Sequence, residues 1–180
     1  GYIGDIFSMN RAFNSSEIAI AHNHLANKYD YTLPSADFHS APTGFTQELF
    51  GIGTEDGSTT VDVASNSDGA LTLQELSGTL DTPNEYALLT HNGVAHDTTT
   101  NDIPAGLDER WTREWYLEKT GNVGATFTFD FAAIGSSAAT DGGYQLLYRS
   151  NTSDDYQPVA GLTTAQFGDE VLFEIPSSQL

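Results

Sequence analysis

Glu109-Arg110-Trp111-Thr112-Arg113-Glu114-Trp115-Tyr116-Leu117-Glu118-Lys119, then Gly121-Asn122, then Ala125-Thr126-Phe127-Thr128-Phe129-Asp130-Phe131, decides the fold class. Side chains on a strand alternate between its two faces. In the first segment that alternation puts Trp111, Trp115 and Leu117 on one side, with Arg113 among them. In the second, Ala125, Phe127, Phe129 and Phe131 alternate with Thr126, Thr128 and Asp130, the pattern of a strand buried on one face. Gly121-Asn122 between them predicts a turn.

Working outward, further strands are expected over Phe45–Ile52 (with Gly51 and Gly53 marking its exit), Thr59–Ala64, Ala70–Leu76 and Tyr86–His91. Asn92-Gly93 predicts a turn, and the polar run from Val94 to Gly106 a long loop. Downstream, Tyr144, Leu146 and Tyr148 alternate, and Val171, Phe173 and Ile175 make a last strand. Seven or eight strands separated by turn signals predict a mainly β protein, an antiparallel β-sandwich.

The beginning of the chain differs. Residues 4–10 look like a strand, and a helix follows, capped by Asn14 or Ser15, with Glu17 in its first turn and Lys28 in its last. Phe13 is placed to pack back onto that first turn. Ile18, Ala21, His22, Leu25 and Tyr29 recur at helical spacing and predict an apolar stripe facing the core. Pro34 and its small polar neighbours predict a junction, dividing residues 1–33 from residues 34–180.

The net charge is −19, with only six Lys and Arg. Such a surface repels phosphate backbones and anionic membranes, so nucleic-acid binding is excluded as a function class. The acidity fits a salty, marine exterior, and it also offers carboxylates to Ca²⁺. There is no Cys, hence no disulfide framework or thiolate metal site. No apolar run reaches the 18 residues a membrane span requires.

Three segments carry a resemblance: Phe50-Gly51-Ile52-Gly53-Thr54-Glu55-Asp56, Leu88-Leu89-Thr90-His91-Asn92-Gly93 and Glu109 to Gly121, with Tyr144–Tyr148 fitting as well. They resemble an uncharacterised β-sandwich module that follows laminin-G-like domains in large secreted bacterial proteins. Residues 1–33 resemble the last strand and closing helix of such a laminin-G/concanavalin-like domain. The resemblance implies an extracellular, modular protein and supplies no catalytic residues.

Candidate chemistry is sparse. No Gly-x-Ser-x-Gly elbow is present. His22 and His24 fall on different helix faces; His91 and His96 flank a turn where Asp97 could join them. Glu114 and Glu118 are about 13 Å apart along one strand, too far for paired catalytic carboxylates. Oxygen-rich turns at Glu55-Asp56-Gly57, Asn66-Ser67-Asp68-Gly69, Asp141-Gly142-Gly143 and Asn151–Asp155 are candidates for a structural Ca²⁺, with Asp56, Asp68, Asp154 and Asp155 as the carboxylates; none has the spacing of an EF-hand. Sugars stack on exposed aromatic rings edged by polar groups. Trp111 and Trp115 are expected in the core, which leaves Tyr116 beside Arg110 and Glu114, together with Tyr156 and Tyr86, as the glycan candidates. Arg113, on the Trp face, requires a carboxylate partner.

The expectation is a non-catalytic structural or adhesive module, secreted or at the cell surface, whose partners are glycans and neighbouring domains or subunits. The alternatives are a carbohydrate-binding accessory module of a polysaccharide-degrading enzyme, and a polymer subunit joined by strand addition at residues 4–10.

Overall fold

The computed structural model describes residues 10–140 and 143–180. The expected strand over residues 4–10 therefore falls, save for Asn10, outside the described residues, as does Asp141. Helix α1 (Ser15–Tyr29) precedes β1 (Gln47–Thr54), β2 (Thr60–Val61), β3 (Val63–Ser65), β4 (Leu71–Glu75), β5 (Glu85–His91), β6 (Thr98–Thr99) and β7 (Arg110–Trp111). Then come β8 (Trp115–Thr120), β9 (Ala125–Asp130), β10 (Leu147–Tyr148), β11 (Gln157–Pro158), β12 (Thr163–Phe167) and β13 (Glu170–Ile175). One sheet runs β2-β1-β5-β8 and the other β12-β13-β9-β4-β3, with β6-β7 and β10-β11 as small ribbons; the pairings are antiparallel.

The alternation that predicted the sandwich is what fills it. Phe50 and Ile52 of β1 and Ala87 and Leu89 of β5 meet Leu71, Leu73, Ala125, Phe127, Val171, Phe173 and Ile175 of the facing sheet, with Trp115 and Leu117 packed against them. Each of the larger side chains, once removed from water, contributes about 1.5–3 kcal/mol.

Three expected strands are interrupted or extended, each for a visible reason. Thr59–Ala64 divides at Asp62: β2 stays in the first sheet while β3 crosses to pair with β4 in the second. Glu109–Lys119 breaks over Thr112–Glu114 because the loop after β5 takes its backbone groups: Thr112 N donates to Asp97 O at 2.9 Å, and Asn92 N donates to Glu114 O at 3.1 Å. The run from Val94 to Gly106 accordingly carries β6, paired with β7. Gly51 and Gly53 lie within β1 rather than at its exit. A Cβ on Gly53 would stand 2.0 Å from the Tyr86 ring, so the missing side chain is what lets Tyr86 lie across the strand. β11 and β12, the latter an exposed edge strand, carried no alternation that marked them beforehand.

Helix α1 is capped by Asn14, which accepts from Glu17 N while the Glu17 carboxylate accepts from Asn14 N. It packs on the outer face of the first sheet, but not through the expected stripe. Ser16, Ala19, Asn23 and Ala26 are buried, whereas Ile18 is 42% and Tyr29 47% exposed. The buried face is rotated about 120° from the apolar one, at 100° per residue. Hydrogen bonds decide this. Asn23 Nδ2 donates to Ala19 O at 2.9 Å and to Ala36 O at 2.8 Å, and its Oδ1 accepts from Phe38 N at 2.8 Å. Ser16 Oγ donates to Thr59 O and accepts from Glu55 N. Beside the helix, residues 30–46 cross the same sheet face: Phe38 stacks on Tyr86 at 4.3 Å, and His39 and Phe45 flank Tyr116.

Candidate functional site

Three of the four expected ligand residues meet. Arg110 of β7, Glu114 from the break before β8 and Tyr156 just before β11 converge with Arg149, which follows β10. Both guanidiniums lie against the Tyr156 ring, Arg110 Cζ at 4.6 Å and Arg149 Cζ at 4.5 Å from its centroid. Glu114 joins them, 3.3 Å from Arg110 and accepting from Arg149 NH2 at 2.6 Å. Asp102 completes the set, accepting from Arg149 NH1 at 3.3 Å. Charge balances within the cluster, and cation–π attraction contributes about 0.5–2 kcal/mol for each guanidinium. Burial, and then the Glu114 carboxylate beside its hydroxyl, push Tyr156 well above the usual phenol range. A cavity of about 460 Å³ opens alongside, lined by Thr100, Asp102, Asp155, Tyr156 and Gln157 among others.

Tyr116 stands apart from this cluster. It is half-buried beneath His39 and Phe45, because the break at Thr112–Glu114 ends the shared face that continuous alternation would have given it with Arg110 and Glu114. Tyr86 is not an exposed platform: it is fully buried, and its hydroxyl donates to Glu55 Oε2 at 2.8 Å.

A second node ties the two sheets. Asp68, in the turn before β4, accepts from Arg113 NH1 at 2.6 Å and from Ala70 N at 3.0 Å, and faces His96 Nε2 at 2.9 Å. Burial opposes its charge, yet the bonds from His96, Ala70, Arg113 and Asn66 together hold the carboxyl well below the usual range. Arg113 thus has the carboxylate it requires. His96 lies against the rings of Trp111 and Trp115, which themselves pack with Phe129 and Phe131. His96 does not meet His91 and Asp97: its partner is Asp68, while Asp97 Oδ1 caps Thr98 N at 2.8 Å.

His91 closes the end of β5. Its Nε2 lies 3.4 Å from Glu48 Oε2, and its Nδ1 accepts from Gly93 N at 3.0 Å. Glu48 sits in the irregular stretch of β1 between Gln47 and Phe50, at φ 47°, which re-aims its side chain toward His91 and the backbone N–H of Ser67. A cavity of about 340 Å³ lies there, with His24, Lys28, Glu48 and His91 in its wall.

The expected calcium carboxylates fall in three separate places in the sequence, Asp154 and Asp155 together in one of them. Asp56 accepts from Thr59 N and then Ser58 N, bonds that lower its pKa to about 2. Asp68 is the node above. Asp154 accepts from Ser150 Oγ and Asn151 Nδ2, and Asp155 lines the larger cavity. Among the described residues no three His, Cys, Asp or Glu side chains are grouped as metal ligands. Arg149, Asp102 and Glu48 carry no signal in the sequence: Arg149 and Asp102 are lone charges in polar stretches, Glu48 is a lone charge in an otherwise uncharged strand, and only the chain reversals bring them to their partners.

Fold and clusters together define an antiparallel β-sandwich module with one helix packed on its outer face. A family model described as a domain of unknown function (DUF8202) matches residues 20–174, from within α1 to β13, and the chain belongs to that family. No curated protein and no solved structure matched it.

Proposed function

We propose that the chain is a non-catalytic structural and adhesive module of a large extracellular bacterial polypeptide, secreted or held at the cell surface. The observation that carries this reading is how its ionisable side chains are used. Glu114 and Asp68 each accept several hydrogen bonds or ion pairs, including bonds from residues far away in the chain, while Asp56 and Glu17 accept bonds that close a turn and a helix end. Such groups brace a fold and have little capacity left for proton transfer. The resemblance of residues 1–33 to the end of a laminin-G-like domain, and the strongly acidic surface, support a place among neighbouring domains outside the cell. A structural Ca²⁺ at one of the acidic turns belongs to the same reading.

A glycan-binding accessory module is the second reading. It is favoured by Arg110, Glu114 and Tyr156 meeting beside the larger cavity, where a sugar would find hydrogen-bonding groups next to an aromatic ring. Assembly by strand addition rests on residues 4–10, almost all outside the described residues. A glycan-array screen, run with Ca²⁺ and again with chelator, separates the readings. Silence in both arms supports the structural module. Binding to one polysaccharide class that Tyr156→Ala abolishes would replace it with the accessory module.

A further inference from the structure

Asn92-Gly93, a turn signal in the sequence, follows β5 in irregular backbone, with Gly93 at φ 72°. Its surroundings carry a specific chemistry. Gly93 N–H points at a lone pair, that of His91 Nδ1, 3.0 Å away. Accepting that bond leaves the ring proton on Nε2, which faces Glu48 Oε2 at 3.4 Å. The order is therefore carboxylate, imidazole, weakly acidic N–H: an oriented general base on a potential nucleophile. The group within reach of that nucleophile is the adjoining carboxamide. Asn92 Oδ1 accepts from Val94 N at 3.1 Å and from Glu114 N at 3.4 Å, two backbone donors placed where negative charge would develop if the carboxamide carbon were attacked. Asn92 is half-buried and Gly93 exposed, so water reaches the site, while His91 is buried.

We propose that Asn92 is a self-modification site, at which the Glu48–His91 pair drives cyclisation of the Asn92 side chain onto the Gly93 nitrogen. The Gly93 N–H proton passes to His91 Nδ1, and the bond from Gly93 N to Asn92 Cγ forms. The imidazolium, held by Glu48, returns the proton to Nδ2, and the Cγ–Nδ2 bond breaks to release ammonia. Water then opens the resulting succinimide at either carbonyl, leaving aspartate or isoaspartate. No oxidant or cofactor is required. The conversion alters a joint of the fold: Asn92 N donates to Glu114 O, and Asn92 Nδ2 faces Thr112 O at 3.5 Å, so the product puts a charge, or an added backbone methylene, where the 94–106 loop leaves β5.

The base must be neutral. Burial, then the Arg113 guanidinium, hold His91 below its ordinary value, against the opposing pull of Glu48 and Asp68. Those groups face it from β1, the turn before β4 and the β7–β8 break, and His24 and Lys28 share its cavity from α1.

The test is mass spectrometry of the peptide containing residue 92, after incubating the folded chain in heavy-oxygen water at a series of pH values. The same sequence as a free peptide serves as reference. Conversion is expected at least about tenfold faster in the folded chain. Its rate should level off once His91 is neutral, whereas the free peptide keeps accelerating with hydroxide. His91→Gln, confirmed folded by circular dichroism, should fall to the peptide's rate. Where that variant does not fold, Glu48→Gln and the wild-type pH profile decide the question. Folded Asn92 converting no faster than the free peptide, or a rate rising with hydroxide throughout, overturns the proposal.

Discussion

Arg113 and Asp68 are 45 residues apart and joined at 2.6 Å, so a single ion pair fastens the turn before β4 to the break between β7 and β8. Because Asp68 also serves His96, Asn66 and Ala70 N, its loss strands several donors at once. Asp68→Asn should lower stability by about 1–3 kcal/mol. The Asp68 side chain is 35% exposed, which favours the lower half of that range. Urea denaturation measures it, and an unchanged midpoint would remove the node from the account.

The face that α1 presents to the sheet yields the next prediction. Asn23 is fully buried and makes three hydrogen bonds, so Asn23→Leu should cost about 1–3 kcal/mol although it adds apolar surface. Ile18→Thr, on the exposed side, should stay within about 0.5 kcal/mol. Thermal melts of the two variants compare them directly. The reverse order would mean that the helix buries its apolar stripe after all.

Gly53 tests how Tyr86 is seated. Gly53→Ala pushes a methyl into the Tyr86 ring and should destabilise by about 1–3 kcal/mol, since that ring is fully buried and its neighbours cannot withdraw. Alanine at an ordinary strand glycine would be neutral or better, so the sign of the change, read by chemical denaturation, is decisive.

Acid should loosen the strap over the first sheet. His39 is buried against Thr90 and Tyr116, and burial lowers it to about 4, with Glu118 only 3.9 Å away. The unfolded chain binds the proton near the ordinary value of about 6.5, so between about 6.5 and 4 it holds more protons than the folded chain and stability falls as pH falls. The loss approaches about 3 kcal/mol by pH 4. His39→Gln should flatten stability over that window, and retention of the full slope would assign the acid sensitivity elsewhere.

The legible parts of the sequence were those where one physical demand acts alone. Phe127 and Phe129 alternate because one face of β9 meets the core, and the sandwich followed from that. Where two demands compete, the pattern misled. The stripe of Ile18, Leu25 and Tyr29 marks an apolar helix face, yet the hydrogen bonds of Ser16 and Asn23 turn another face inward. Alternation through Arg110–Tyr116 placed Tyr116 with Arg110 and Glu114, yet loop residues Ala95 and Asp97 take the bonds of Thr112 and break the strand. Arg110, Glu114 and Tyr156 each carry a signal of their own in the sequence. Arg149, which holds them together, had no local signal, because the long reversal between β9 and β11 brings it there.

The claim most exposed to test is that the charged and aromatic clusters hold loops to the sandwich. Hydrogen–deuterium exchange on Tyr156→Ala tests it most directly. With the ring gone, Arg110 and Arg149 lose the surface they share, and exchange should rise across residues 94–106 and 147–158 while β1, β5, β9 and β13 stay protected. Unchanged exchange in those two segments would contradict the account and leave the cluster's aromatic ring available for a ligand.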